Sequence, residues 1–306
     1  MKKTRHLNVT GRRFVLLVAL LIPTVAAAGP WTQTQGSSYL KISAGYLSTV
    51  SEFNHKATRQ DLFEEDPGFE DGSFRDMNLV LYGEYGLFDP LTLVGSLPLK
   101  ALRASRTGLV GGGLLRQRSA LSTVGLGDLS ASLRLRLLAE PVVLAVQAGL
   151  DLPFYGDAPD NEGPPLGSGE IDAQAHLLLG RSLGQIYVST RIGYKRRAGR
   201  LHDEILFGAE GGRHWGRWLG ALRLDAVRNV QTPPDIYGGP IVTPLPVGGG
   251  VLPDLVIGDQ HSLKLNPSLT YTLSHGLQVQ LEVLSVVSGT NTLAGTQWAI
   301  GVVATR

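Results

Sequence analysis

Four carboxylates, Asp128, Asp151, Glu170 and Asp172, stand at matching positions of three successive segments in which polar and apolar residues alternate. A tight turn at Ala139-Glu140-Pro141 is expected to bring Asp128 beside Asp151. Like charges so placed raise one another's proton affinity or recruit a cation, either a divalent metal or an organic cation in transit. The other outcome is pairing with Arg134, Arg191 or Lys195, which stiffens a wall and binds nothing. Both readings stay open at this point.

Groups suited to catalysis are sparse. His176 falls among polar wall residues, while His55, His202, His214, His261 and His275 fall in loops, turns or segment ends. No His-x-Ser segment, no His-x-x-x-His pair and no glycine-rich phosphate loop occurs. Cysteine is absent, which excludes disulfides, thiolate catalysis and cysteine metal sites. The expectation is no enzyme, no metal and no cofactor. A lipid-modifying enzyme, which some barrels carry as a surface His and Ser, is the weaker alternative.

The elements that position these residues are read from period-two alternation, the mark of strands with two unlike faces. From Asp128 to Arg136 every second residue is polar and each one between is Leu or Ala. About twelve such segments run from Leu40 to Ala304, most near the ~9–11 residues that a tilted strand needs to cross a bilayer. Short turns, such as Phe88-Asp89-Pro90 and Ser274-His275-Gly276, alternate with long connections at Thr49 to Arg75, Arg103 to Val124, Phe154 to Ser168 and Arg228 to Asp259. Short periplasmic turns opposite long extracellular loops describe an all-β, up-and-down antiparallel transmembrane barrel. A soluble sandwich with its apolar face turned inward is the competing arrangement.

Energetics choose the facing. Arg or Lys turned to lipid at the midplane costs about 2–4 kcal/mol each, so Arg134 and Arg136 must point into a wet interior and the intervening leucines into hydrocarbon. The same parity assigns to the lumen Lys41, Glu84, Asp128, Gln147, Asp151, Glu170, Asp172, Gln174 and His176. Arg191, Glu204, Glu210, Arg223, Asp225, Lys264 and Glu282 follow on the later segments. Their signs nearly balance, so strong ion selectivity is not expected. Tyr39, Tyr85, Phe88, Trp215, Trp218 and Tyr271 are assigned to one interfacial girdle, and Tyr46, Phe154, Tyr155 and Tyr194 to the other. Pro98 and Pro153 are expected where pairing stops.

Residues 1–28 read as a signal peptide: a basic start, the uncharged run Phe14 to Ala28, and Ala26-Ala27-Ala28 before Gly29. The barrel then occupies 29–306. Five of the 28 Lys and Arg lie in this leader and none of the 26 Asp and Glu do, so the exported chain is slightly acidic. No clustered basic face speaks for nucleic acid.

Three loops carry further expectations. Arg228 to Asp259 is long, apolar and rich in Pro and Gly, suited to folding over the mouth as a lid or plug. Ser51 to Asp76 includes Asp61, Glu64, Glu65, Asp66, Glu70 and Asp71 without metal-loop spacing and reads as solvated. Arg103, Arg106, Arg116 and Arg118 could hold lipopolysaccharide phosphates or simply confer solubility.

Several short motifs carry a resemblance. Trp31-Thr32-Gln33 with Gly36-Ser37-Ser38-Tyr39-Leu40-Lys41, Tyr85-Gly86-Leu87 with Leu91-Thr92-Leu93, Leu97-Pro98-Leu99, and Gly125-Leu126-Gly127-Asp128-Leu129 stand in this order. Together they resemble the outer-membrane barrels named for the meta-pathway of phenol degradation. That resemblance implies a bacterial outer-membrane channel or transporter for small, aromatic or hydrophobic solutes, with lipid and lipopolysaccharide around it. Passive diffusion through a partly occluded lumen of a monomer is the expectation; a non-transporting surface barrel is the alternative.

Overall fold

The structure, a computed structural model, describes residues 29–64, 68–110, 115–154, 163–198, 201–230 and 260–306. Strands form where the alternation lies. The first are Ser38–Thr49 (β1), Ser51–Phe53 (β2), Arg59–Asp61 (β3), Phe69–Phe88 (β4) and Leu91–Val110 (β5). Leu115–Leu126 (β6), Leu129–Leu138 (β7), Val143–Leu152 (β8), Asp172–Leu183 (β9) and Ile186–Arg196 (β10) follow. Glu204–Trp215 (β11), Trp218–Asn229 (β12), His261–Ser274 (β13), Leu277–Thr290 (β14), Thr292–Leu293 (β15) and Thr296–Thr305 (β16) complete the order.

All pairings in the large sheet are antiparallel, and β4 bonds to both β1 and β5, so the sheet closes on itself. Strands β6 and β7 are two halves of one strand. The outer half of β5 pairs with β6 and its inner half with β7. The result is a twelve-strand cylinder, roughly 25 Å across its backbone for the usual strand spacing and tilt. Closure satisfies every wall strand laterally, which an open edge in hydrocarbon could not do. The seam joins first and last strands, with Ser38 and Arg306 exchanging backbone hydrogen bonds of 2.9 and 3.0 Å. Two-residue turns join β9 to β10 and β11 to β12; each begins with a glycine of positive φ, Gly184 at 64° and Gly216 at 60°, as tight hairpins demand.

Burial is inverted relative to a water-soluble fold. Leu40, Ile42, Leu79, Leu81, Leu133, Leu135, Leu177, Val188, Leu222 and Ile300 are exposed on the outer wall. Glu84, Thr92, Arg134 and Asp172 are among the most buried side chains. Such an arrangement excludes a sandwich with its apolar face inward. Tyr85, Phe88, Trp215 and Trp218 ring the short-turn end of this belt, and Tyr46, Phe154, Tyr194 and Trp298 ring the other. Tyr39 departs from its expected girdle place: it points inward, buried, edge-on to Tyr82 at 5.9 Å.

Two of the expected long loops are largely strand. Arg103 to Val124 is the tip of the β5–β6 hairpin, and β4 begins at Phe69 rather than near Arg75. Pro98 does not end a strand but sits inside β5. Its carbonyl accepts from Gly127 N at 2.8 Å where β6 gives way to β7, so its missing N–H faces the break in its partner. That one-residue slip takes Asp128 out of the regular strand. Tyr155 and most of Arg228 to Asp259, with the expected lid, lie outside the described residues.

Leu133 on the lipid face gives a direct test of the facing. Leu133→Arg is expected to lower folding free energy by about 2–4 kcal/mol in urea titrations from lipid vesicles, and Ser96→Arg, at an inward position, by much less. A larger loss at position 96 would show that the faces are reversed.

Candidate functional site

The inner face of the wall and the segment 29–37 enclosed by it form one polar system. This segment precedes β1 and runs inside the short-turn end of the cylinder. Pro30 packs against inward Gly180, where a Cβ would lie 2.6 Å from Pro30 Cγ. Thr34 carbonyl passes inward Gly86, where a Cβ would lie 2.0 Å from it. Neither position admits a side chain while the segment is in place. Trp31 stacks edge-on against inward Tyr187 at 5.7 Å. Gln33 N donates to Thr92 Oγ1 at 2.8 Å, Thr32 Oγ1 to Asp89 O at 2.8 Å, and Gln35 N to Asp89 Oδ1 at 2.9 Å.

One ion pair fastens this segment to the wall. Arg134 Nη1 lies 3.0 Å from Glu84 Oε1, with side chains 2% and 0% exposed. Arg134 also donates to Trp31 O and Gln147 Oε1, both at 2.9 Å. Glu84 accepts from Gln33 Nε2 at 2.8 Å and from the Tyr82 hydroxyl. Burying two charges is tolerable only when their remaining donors and lone pairs are met in this way.

The remaining expected lumen residues mostly resolve into pairs. Lys41 Nζ meets Glu282 Oε2 at 2.6 Å. Arg191 and Arg223 share Asp225 at 2.6 and 2.9 Å, and Lys264 is its register partner on β13. Glu210 accepts from the Tyr187 hydroxyl at 2.6 Å. His176 shares a 2.9 Å hydrogen bond with Gln174, which in turn donates to Asp151 Oδ1 at 2.9 Å. Arg136 is half-buried near the short-turn end.

Of the four carboxylates, two are paired with basic side chains. Asp151 and Asp172 are register partners, and Lys195 Nζ sits between them at 2.7 and 3.2 Å. Arg197 lies 3.6 Å from Asp172 and 2.9 Å from Glu204. Asp128 instead accepts from Ser168 N at 3.0 Å, and Glu170 is exposed at the rim. For Asp151 and Asp172 the recruited cation is the chain's own Lys195, joined at Asp172 by Arg197, whereas Asp128 and Glu170 take no part in that pairing. Among the described residues, no group of His, Cys, Asp and Glu is placed to hold a metal.

Two spaces remain. A cavity of about 340 Å³ lies beside the segment, lined by Tyr39, Lys41, Asn78, Tyr82, Arg223, Asn266, Gln280, Glu282 and Gln297 among others. Nearer the long-hairpin end, a second of about 270 Å³ is half apolar, with Leu47, Phe74, Leu102, Leu166 and Leu293 facing Lys100, Asp128, Lys195 and Arg197. Leu62, Phe63, Phe74, Leu102, Ala104 and Leu166 form a buried apolar cluster at that end. Arg106, expected in a phosphate-binding group, is inside it, with its guanidinium 3.4 Å over the Phe69 ring.

A solved outer-membrane channel from Pseudomonas putida F1 superposes on this cylinder with a TM-score of 0.62 at 14% identity, over 92% of this chain and 100% of that one. The fold is that of an outer-membrane barrel. More distant are a mutant of the TodX monoaromatic hydrocarbon channel (10% identity, 90% and 91% of the chains covered, TM-score 0.47) and the Ralstonia pickettii toluene transporter TbuX (9%, 89% and 90%, 0.42). No family model matches the chain, and no curated protein matches it in sequence.

Sequence reading placed Glu84, Arg134 and Gln147 on the inner face but did not join them, and it missed Trp31, Gln33, Tyr82, Tyr187 and Arg197. Inward glycines at 86 and 180 were the available signal, since a wall facing only water has no need to be bare there.

Removing one partner of the buried pair should be costly. Glu84→Gln is expected to lose about 3–5 kcal/mol of folding free energy and to release Trp31 from Tyr187, read as a red shift of tryptophan emission. Glu84→Met with Arg134→Met should recover most of the stability. A single variant as stable as the parent would mean that Arg134 reaches water.

Proposed function

We propose that the chain is a passive outer-membrane channel for small aromatic or otherwise hydrophobic solutes, closed at its short-turn end by residues 29–37. The observation that carries this reading is the seating of that segment inside the wall. A barrel serving only as an anchor needs no fitted occupant, whereas a channel needs a closure that can yield. The contacts are suited to that use. Apart from the Glu84–Arg134 anchor they are single hydrogen bonds and ring contacts, each worth about 0.5–1.5 kcal/mol net.

The solute class is read from the linings. The half-apolar cavity at the long-hairpin end accepts a small hydrophobic body against Phe74, Leu102 and Leu166. The deeper cavity mixes apolar side chains, Val80, Leu219, Leu284 and Val303 among them, with polar ones, and its Lys41 and Glu282 are already paired. Neutral molecules with one apolar face and few polar groups suit both. A strongly charged solute would have to break an internal ion pair to gain anything.

We read residues 1–28 as a leader removed after Ala28. Gly29 then bears the chain's ammonium and lies in a recess lined by Glu210 and Asp225 together with Arg191 and Arg223. We read the protein as a monomer and not as an enzyme; His176 hydrogen-bonds Gln174, and among the described residues no nucleophile is paired with it.

Single-channel recording decides the matter. The intact protein should show small, infrequent conductance in planar bilayers, and deletion of 30–36 should raise it severalfold, with faster swelling of liposomes in small neutral solutes. Equal, closed behaviour of both proteins would favour a non-transporting scaffold. Equal, open behaviour would leave the channel and remove the closure.

A further inference from the structure

The outer surface above the lipid belt carries a site that transport does not use. Arg75 on β4 and Arg103 on β5 are register partners, so two guanidinium groups leave the same face of the sheet directly opposite one another. Both are exposed, one step beyond the apolar Met77 and Ala101. Like charges in that relation destabilise a sheet unless an anion lies between them.

A floor is already built beneath them. Ser73 and Ser105, the next register pair, join hydroxyls at 2.8 Å, and Ser105 is buried although it faces outward. Arg118 of β6 completes the ring around a recess of about 110 Å³ lined by Ser73, Arg75, Arg103, Ser105 and Arg118. Arg116 beyond it is paired with Glu70 at 3.1 Å, whereas no ion pair engages Arg75, Arg103 or Arg118 among the described residues. Three guanidiniums over the serine pair, which keeps one free O–H donor, fit a tetrahedral phosphate, which accepts from planar forks and from a hydroxyl at once.

Height on the wall identifies the bearer. The recess faces away from the lumen, at the long-hairpin end, where Met77, Leu79 and Val124 still face hydrocarbon just below. A phosphate at that level belongs to a headgroup whose acyl chains lie along those residues. We propose that Arg75, Arg103 and Arg118 hold a glucosamine phosphate of lipid A, fixing one lipopolysaccharide molecule against the β4–β5–β6 hairpins. The assignment rests on the long-hairpin end facing outward, as in the reading above.

Native mass spectrometry of the detergent-solubilised full chain with bisphosphoryl lipid A, dephosphorylated lipid A and phosphatidylglycerol tests it. The parent should retain bisphosphoryl lipid A. Arg75→Gln with Arg103→Gln should weaken that binding by roughly tenfold or more, as loss of charge-assisted hydrogen bonds implies, while phosphatidylglycerol binding changes little. Undiminished lipid A binding by the double variant overturns the proposal, as does equal retention of the dephosphorylated lipid by the parent or an equal loss for phosphatidylglycerol. Heat-modifiable migration on electrophoresis checks that the variant is folded; if it is not, Arg118→Gln alone should cost severalfold, and no change there is equally fatal. Channel conductance is a separate readout, so a failed lipid site with normal conductance leaves the transport reading intact.

Discussion

Hydrocarbon around the wall is the constraint from which the other features descend. It demands closure, because no water is there to satisfy a bare strand edge. It also demands that each ionised side chain within the belt turn inward, because facing outward costs about 2–4 kcal/mol at the midplane. A cylinder of only twelve strands then has a narrow interior filled with the charges it cannot place elsewhere. Crowding forces them into pairs, as at Lys41–Glu282, Arg191–Asp225–Arg223 and Lys195 with its two aspartates. A wall of that kind is nearly neutral overall although it is dense with charge.

The interior is also where the first residues of the described chain find partners. Residues 29–37 displace water from the short-turn end without introducing a charged side chain of their own. Their one buried ionic contact is borrowed from the wall, through Trp31 O and the Gln33 amide on the Arg134–Glu84 pair. Pair and segment therefore depend on each other. The segment shields the charges from water, and the charges satisfy the segment's polar groups.

What could be read from sequence follows the same logic. Alternation is imposed by the two unlike media, so the strands, their facing and the inward position of charges within the belt, such as Lys41, Glu84, Arg134 and Glu282, were legible. Partnerships were less so. Glu84 meets Arg134 only because β5 stands between β4 and β7 in a register set by long hairpins, and no local pattern encodes that. Tyr39 was misplaced because a tyrosine suits a girdle and a polar lumen alike. Arg103 to Val124 read as loop because it rises beyond the belt, where the medium no longer enforces alternation, and Arg106 among aromatic rings gives no charge signature in sequence. Pro98 looked like a stop because its missing donor needs a gap in the neighbouring strand, and that gap is made far along the chain at Gly127.

The seam between Ser38 and Arg306 bears on how such a molecule comes into being. The two ends of the described chain must find one another before the sheet has no edges, and contacts this remote in sequence form slowly. Until then the first and last strands are bare templates for pairing with other chains, and the nine residues ahead of β1 have no enclosure to occupy. Closure is thus a late step, and the half-built sheet needs protection while it waits.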